Sequence, residues 1–189
     1  MRIIAGKYGR RTLSVPQDRN IRPTSDKIRG AIFNALESQG AINDAQVLDA
    51  FCGTAALGLE ALSRGAAHCT FIDKAKTSLD LARNNIEALG ARTESDLLLG
   101  DASTLNFKGK TFDLILLDPP YHKGLIELTL NNLLKQSSIS PTAKIICESE
   151  ANLTAGHPGS KQGSPTGTFE TLSEKTYGDT TVSILTYNA

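Results

Sequence analysis

The sequence predicts an α/β fold: a doubly wound, mostly parallel sheet closed by a terminal antiparallel hairpin, with a small N-terminal extension. Three observations predict it. Segments of strand and helix character alternate from Ala45 to Cys147. The strand-like runs are too continuously apolar for a sheet with one wet face, so helices must cover both sides. Four successive runs end at or just before an acid, namely Asp49, Asp73, Asp101 and Asp118, which a parallel sheet would gather at one edge.

The elements follow in chain order. Residues 3–6 and 11–13 can pair as a short hairpin around Tyr8-Gly9. Arg22 precedes Pro23 and is therefore extended. Thr24 or Ser25 then caps a helix over residues 26–39, with Ile28, Ile32 and Leu36 on one face and Gly40 at its end. Strands are expected at 47–50, 69–72, 97–99, 112–117 and 144–147. Helices are expected between them at 56–64, stopped by Gly65, at 76–89, stopped by Gly90, and at 125–134. Leu79, Ala82, Ile86 and Leu89 share one face of the second of these helices. Residues 154–168 are rich in Gly, Pro, Ser and Thr and read as a loop. Strands at 169–175 and 180–187 then form a hairpin through Tyr177-Gly178-Asp179. Residues 1–40 thus read as a basic arm and docking helix of the same domain as residues 41–189.

A chain of 189 residues is large enough for one domain with a full core. No apolar run approaches the length of a membrane span, and the first residues lack the apolar stretch of a signal peptide. Cys52, Cys69 and Cys147 are odd in number and lack CxxC spacing. That pattern fits a reducing, cytoplasmic setting and argues against a disulfide framework or a metal site. A monomer is expected.

The zero net charge hides an asymmetry. Residues 1–30 hold eight of the 20 basic residues and only two acids, so this stretch carries +6 and the remainder −6. A basic arm on an acidic body is the footprint of a phosphate-backbone partner, the alternative being a solvated tail. Arg10, Arg11, Arg22, Thr24 and Arg29 are the candidate RNA contacts.

The strand-end acids suit a nucleoside cofactor. Gly53 permits a tight turn after the first strand, and the helix that follows offers free N–H groups. Asp73 lies 20 residues after Gly53, a spacing at which an acid accepts from ribose hydroxyls. Asp101, after Gly100, is placed for an adenine amino group together with the Ala102 N–H. Asp49, Phe51, Thr54, Ala55 and Lys74 flank these positions and complete the candidate shell, with Asp118 at its border. The glycine pattern itself is weak: Gly53-Thr54-Ala55-Ala56-Leu57-Gly58 has Ala55 at the middle glycine of a dinucleotide fingerprint. Helix–strand packing competes as the reason for Gly53 and Gly58, and helix capping as the reason for Asp73.

Asp118-Pro119-Pro120-Tyr121 ends the fourth strand and is the candidate catalytic segment. An exocyclic base amine is a poor nucleophile, because its lone pair is delocalised into the ring. Acceptors for its N–H bonds favour the tetrahedral nitrogen needed for attack. The Asp118 carboxylate and the Pro119 carbonyl supply two such acceptors, and the prolines leave no N–H to compete. Tyr121 offers a face for stacking the base. A plain strand-to-loop turn is the competing explanation. His68 and His157 have no partners at metal spacing, His122 reads as a solvated loop residue, Cys52 reads as a small buried residue, and Glu148 reads as a structural acid.

Several of these segments carry a resemblance. They include Met1-Arg2-Ile3-Ile4-Ala5-Gly6, Arg22-Pro23-Thr24 and Arg29-Gly30-Ala31-Ile32-Phe33-Asn34. They continue through Leu48-Asp49-Ala50-Phe51-Cys52-Gly53, Gly58-Leu59-Glu60-Ala61-Leu62-Ser63-Arg64-Gly65-Ala66, Asp118-Pro119-Pro120-Tyr121 and Tyr177-Gly178-Asp179-Thr180. The chain resembles the RsmD-type bacterial 16S rRNA guanine-N2 methyltransferases over nearly its whole length. The resemblance implies a class I methyltransferase fold with seven strands, the last antiparallel, and residues 41–189 as the methyltransferase domain. It implies S-adenosylmethionine as cofactor and the N2 of a guanine in 16S rRNA, at position 966, as target. The 30S subunit or its assembly intermediate is the implied partner. Ala55 departs from the family pattern, which usually has Gly there, and is expected to lower cofactor affinity modestly. Three other readings compete: methylation of another base amine such as adenine N6, a non-catalytic RNA-binding assembly factor, and a nucleotide-dependent dehydrogenase.

Overall fold

The computed structural model describes residues 1–16, 25–120, 124–150 and 168–188. Among the predicted features, Arg22, Thr24, Tyr121 and the loop at 154–167 lie outside these described residues.

Seven strands form one sheet: β1 (Gln46–Asp49), β2 (His68–Asp73), β3 (Ser95–Leu99), β4 (Phe112–Leu117), β5 (Ile139–Glu150), β6 (Thr168–Tyr177) and β7 (Thr180–Asn188). Their order is β3-β2-β1-β4-β5-β7-β6. The first five strands run parallel, and β7 lies antiparallel between β5 and β6. The predicted class and the terminal hairpin are both present. Two strands start at least two residues earlier than predicted. β3 begins at Ser95, and its polar Ser-Asp start gives no apolar signal. β5 begins at Ile139, where Phe112 pairs with Ile139 before a register shift carries the ladder to Leu114 and Lys144.

Helices α1 (Asp26–Ser38), α2 (Ala56–Ser63) and α3 (Lys76–Leu89) share one core with the sheet, and α4 (Leu125–Lys135) packs on the other face. Ser25 caps α1 by accepting the Ile28 N–H at 3.3 Å. Gly90, at φ 73°, ends α3 in the left-handed conformation that glycine tolerates best. Every residue of α2 is buried, because the helix is enclosed by the sheet, α1 and the N-terminal hairpin. Gly58 allows that depth: a Cβ there would lie 2.4 Å from the Phe71 ring and 2.6 Å from the Cys69 sulfur.

The N-terminal hairpin hangs on α2. Its strands meet at an Arg2–Thr12 bridge, and Leu13 N–H donates to the Met1 carbonyl at 3.0 Å. Glu60, wholly buried, accepts the Ile4 and Ala5 N–H groups at 2.7 and 3.2 Å. Its carboxylate also takes Arg64 Nε at 2.8 Å and lies 3.9 Å from Arg29 Nε, both guanidinium groups being buried. Ser63 Oγ accepts the Tyr8 N–H at 2.9 Å, and the Ser63 carbonyl accepts the Lys7 N–H at 2.7 Å. Among the described residues no helix is long and apolar enough to cross a membrane.

Candidate active site at the strand ends

The chain winds from β1 outward to β3, then returns to place β4 on the other side of β1. Ligands of such sheets bind beyond the strand ends where the winding reverses. A cavity of about 520 Å³ lies there. Register brings the acids to it. Asp49 pairs with Phe71 and Leu116, and Asp73 pairs with Leu99. Asp73 and Asp118 therefore each stand two residues past Asp49, on either side of it. All four strand-end acids line the cavity, as do Phe51, Gly53, Thr54, Lys74, Ala102, Pro119 and Pro120.

Each acid is held differently. Asp49 is buried, and its carboxylate accepts the Gly58 N–H at 3.0 Å. Burial pushes its pKa up to about 7, the Gly58 bond opposes that, and the charges of Asp118 and Asp73 add to it. Asp73 accepts the Gly53 N–H at 3.1 Å and the Ala75 N–H at 2.8 Å, one on each oxygen. This bridges the two turns that flank the cavity and leaves further lone pairs for a hydroxyl donor. Asp101 accepts from the Ser103 hydroxyl at 2.6 Å and the Ser103 N–H at 2.9 Å, and these bonds hold its pKa below the usual carboxylate range.

Asp49 carries a pH prediction. Its carboxyl is more readily protonated in the fold than in the unfolded chain, so the fold holds an extra proton between pH 4 and 7. Stability from this group is present at low pH and is lost as pH rises through that window. The melting temperature of Asp49→Asn should therefore rise relative to wild type between pH 5 and 8. Unfolding curves of both proteins without ligand check this; a constant gap between them removes the assignment.

Two predicted positions are corrected. Ala55 is wholly buried and does not line the cavity. It precedes α2 at φ 65°, and this left-handed turn sends its methyl into the core. The cost of Ala at this position is therefore backbone strain of about 1–2 kcal/mol, not a methyl against the cofactor. Arg29, predicted to meet RNA, is also wholly buried. Its guanidinium donates to the Arg2 carbonyl at 2.5 Å and pairs with Asp26 at 2.8 Å, and the residue lines the cavity from α1.

Arg10 and Arg11 are exposed at the hairpin turn. Arg11 donates to the Ala88 carbonyl near the end of α3. Ser78, which lines the cavity, is ten residues earlier on that helix, roughly 15 Å along its axis. Arg11, at the far end of α3, therefore stands well away from the cavity. Sequence reasoning missed Met1, Ser78 and Leu125 on the cavity wall. It also missed Asn132 and Gln136 of α4. Asn132 Nδ2 donates to the Ala102 and Leu105 carbonyls at 2.9 and 3.0 Å, and Gln136 Nε2 donates to the Leu105 carbonyl at 2.9 Å. Cys52, Cys69 and Cys147 are free, and burial raises all three thiols. Among the described residues no group of acids, His and Cys could hold a metal ion.

The family model for Conserved hypothetical protein 95 matches residues 1–186. The chain belongs to this family. Its relatives include ribosomal RNA small subunit methyltransferase D of Escherichia coli, 39% identical over 150 residues, which span 79% of this chain and 75% of the relative. The namesake from Haemophilus influenzae is 34% identical over 155 residues, or 79% of each chain. The family fold is equally close: the solved structure of yhhF from Escherichia coli superposes with a TM-score of 0.84 at 33% identity. It covers 100% of this chain and 98% of that one. In this chain Glu60 and Ser63 of α2 hold the N-terminal hairpin, as their bonds to Ile4, Ala5 and Tyr8 show.

Proposed function

We propose that this chain transfers a methyl group from S-adenosylmethionine to the exocyclic N2 of a guanine in small-subunit ribosomal RNA. The observation that carries the proposal is one cavity holding both halves of the site. Asp49, Asp73 and Asp101 line it beside Asp118-Pro119-Pro120. The names of the methyltransferase D relatives support the RNA substrate, and guanine 966 is the target that the sequence resemblance implies.

The donor set fits the cofactor. Besides its own carboxylate, S-adenosylmethionine presents an ammonium, a sulfonium, two ribose hydroxyls and an adenine amine, which are all cations or hydrogen-bond donors. The cavity answers with four carboxylates. Asp73 would hold the ribose, Asp101 with the Ala102 N–H the adenine, and Asp49 would face the cationic end. When bound, the cofactor supplies an electrophilic methyl group.

The remaining work belongs to the chain. Asp118 and the Pro119 carbonyl accept the two amine N–H bonds, which draws the nitrogen toward tetrahedral geometry and gives its lone pair back. Pro119 is buried and Pro120 exposed, and neither has an N–H to compete for those acceptors. We place Tyr121 under the base as a stacking surface.

The test is methylation of 30S particles from a strain lacking the enzyme, with labelled S-adenosylmethionine and mass identification of the product nucleoside. N2-methylguanosine at one site supports the proposal. N6-methyladenosine would transfer the same site chemistry to a different base, and no incorporation would overturn it.

A further inference from the structure

We propose that Asn85 is a positioning residue that locks the cofactor turn and the N-terminal hairpin to each other, making the hairpin part of the cofactor site. The inference rests on the S-adenosylmethionine reading above. Asn85 is polar but lies on the apolar face of α3, buried beside Ala82 and Ile86. Its Oδ1 accepts the Ser14 N–H at 2.8 Å. Its Nδ2 donates both hydrogens, to the Ser14 carbonyl at 3.0 Å and the Thr54 carbonyl at 2.9 Å. Two carbonyls on one side and one N–H on the other fix the amide orientation, because the reverse would set oxygen against two oxygens.

Thr54 lines the cavity, in a turn that needs restraint. Gly53 and Ala55 on either side of it are both left-handed, at φ 49° and 65°. Within the turn, only the Ala55 N–H bond to the Cys52 carbonyl closes it locally. Asn85 supplies the outside hold on its carbonyl. The hairpin's other end reaches the same residue: Met1 Sδ lies 3.6 Å from Thr54 Oγ1, and Met1 lines the cavity. One strand of the hairpin therefore meets Thr54 directly, through Met1, and the other meets it through Asn85. Undocking Ser14 strips a buried amide of two of its three bonds and loosens the third. A ligand that orders the turn must then favour the docked hairpin, and a docked hairpin must favour the ligand by the same factor.

Three measurements test this. In the wild type, S-adenosylhomocysteine should slow hydrogen exchange at the Ser14 amide, which is outside the cavity, without slowing the amides of β6. Asn85→Ala should raise the S-adenosylhomocysteine Kd and the KM for S-adenosylmethionine about tenfold, as expected for losing one buried hydrogen bond to the turn. The kcat at saturating cofactor should stay near wild type. Asn85→Asp keeps only the acceptor for Ser14 and should show the same split. A merely structural Asn85 would lower the melting temperature and the active fraction while leaving Kd and KM unchanged, and would leave Ser14 exchange insensitive to ligand; that result overturns the assignment alone. Failure of the wild type to bind S-adenosylhomocysteine overturns the cofactor reading and this assignment together.

Discussion

Replacing Asp118 by alanine should slow methyl transfer by roughly 10²-fold or more, the usual loss when a preorganised transition-state acceptor is removed. The residue sits half-buried at the end of β4 and borders the cavity beside Pro119. In the proposed reaction its carboxylate meets a charge that develops only as the amine attacks, so its loss should fall on the chemical step and leave S-adenosylhomocysteine affinity nearly unchanged. Asp118→Asn keeps an acceptor oxygen without the charge and should fall between wild type and alanine. Single-turnover methylation of 30S particles at saturating cofactor separates the step from binding. A wild-type rate for Asp118→Ala would remove Asp118 from the chemistry.

The largest effect on stability is expected at Glu60, which does not line the cavity. Its buried carboxylate holds two hairpin N–H groups and faces two buried guanidinium groups, Arg29 and Arg64. Glu60→Ala takes the shared buried carboxylate from both guanidinium groups, leaving Arg29 with Asp26 and Arg64 with Glu37, and leaves two hairpin N–H groups without their acceptor, at a cost of about 3–5 kcal/mol. For a chain of this size that is a melting temperature lower by roughly 6–20 °C. By contrast, Lys7→Ala breaks an exposed pair with Glu94 and should cost about 0–1 kcal/mol. Thermal unfolding of both variants decides. Equal, small shifts would mean that the buried network is not what holds the hairpin.

Much of the fold was legible because local and global signals agreed. Gly65 and Gly90 stop helices where the apolar spacing also stops, and the acids of β1, β2 and β4 mark strand ends that the apolar runs had already bounded. The misses have physical reasons. The first residues of β3 are both polar and those of β5 carry Pro141, so their pairing is set by neighbouring strands and not by their own propensity. Ala55 was placed against the cofactor because a linear pattern does not report a left-handed φ. Arg29 was placed on RNA because charge density does not report burial. Yet both Glu60 and Asn85 left a trace: each is a polar residue inside an otherwise apolar helical stripe. Such a residue is buried for a reason, and here the reason is backbone held from a distant part of the chain.

That distance also orders events during synthesis. The hairpin made by the first fourteen residues finds its partners at Glu60, Asn85 and Glu94, which are 55 to 87 positions later. A ribosome adding about 5–20 residues per second needs several seconds to reach them. Ile3 and Leu13, which end up fully covered, wait in solvent for that interval. The hairpin is thus made before the helices that hold it, and its docking can close only after α2 and α3 have emerged.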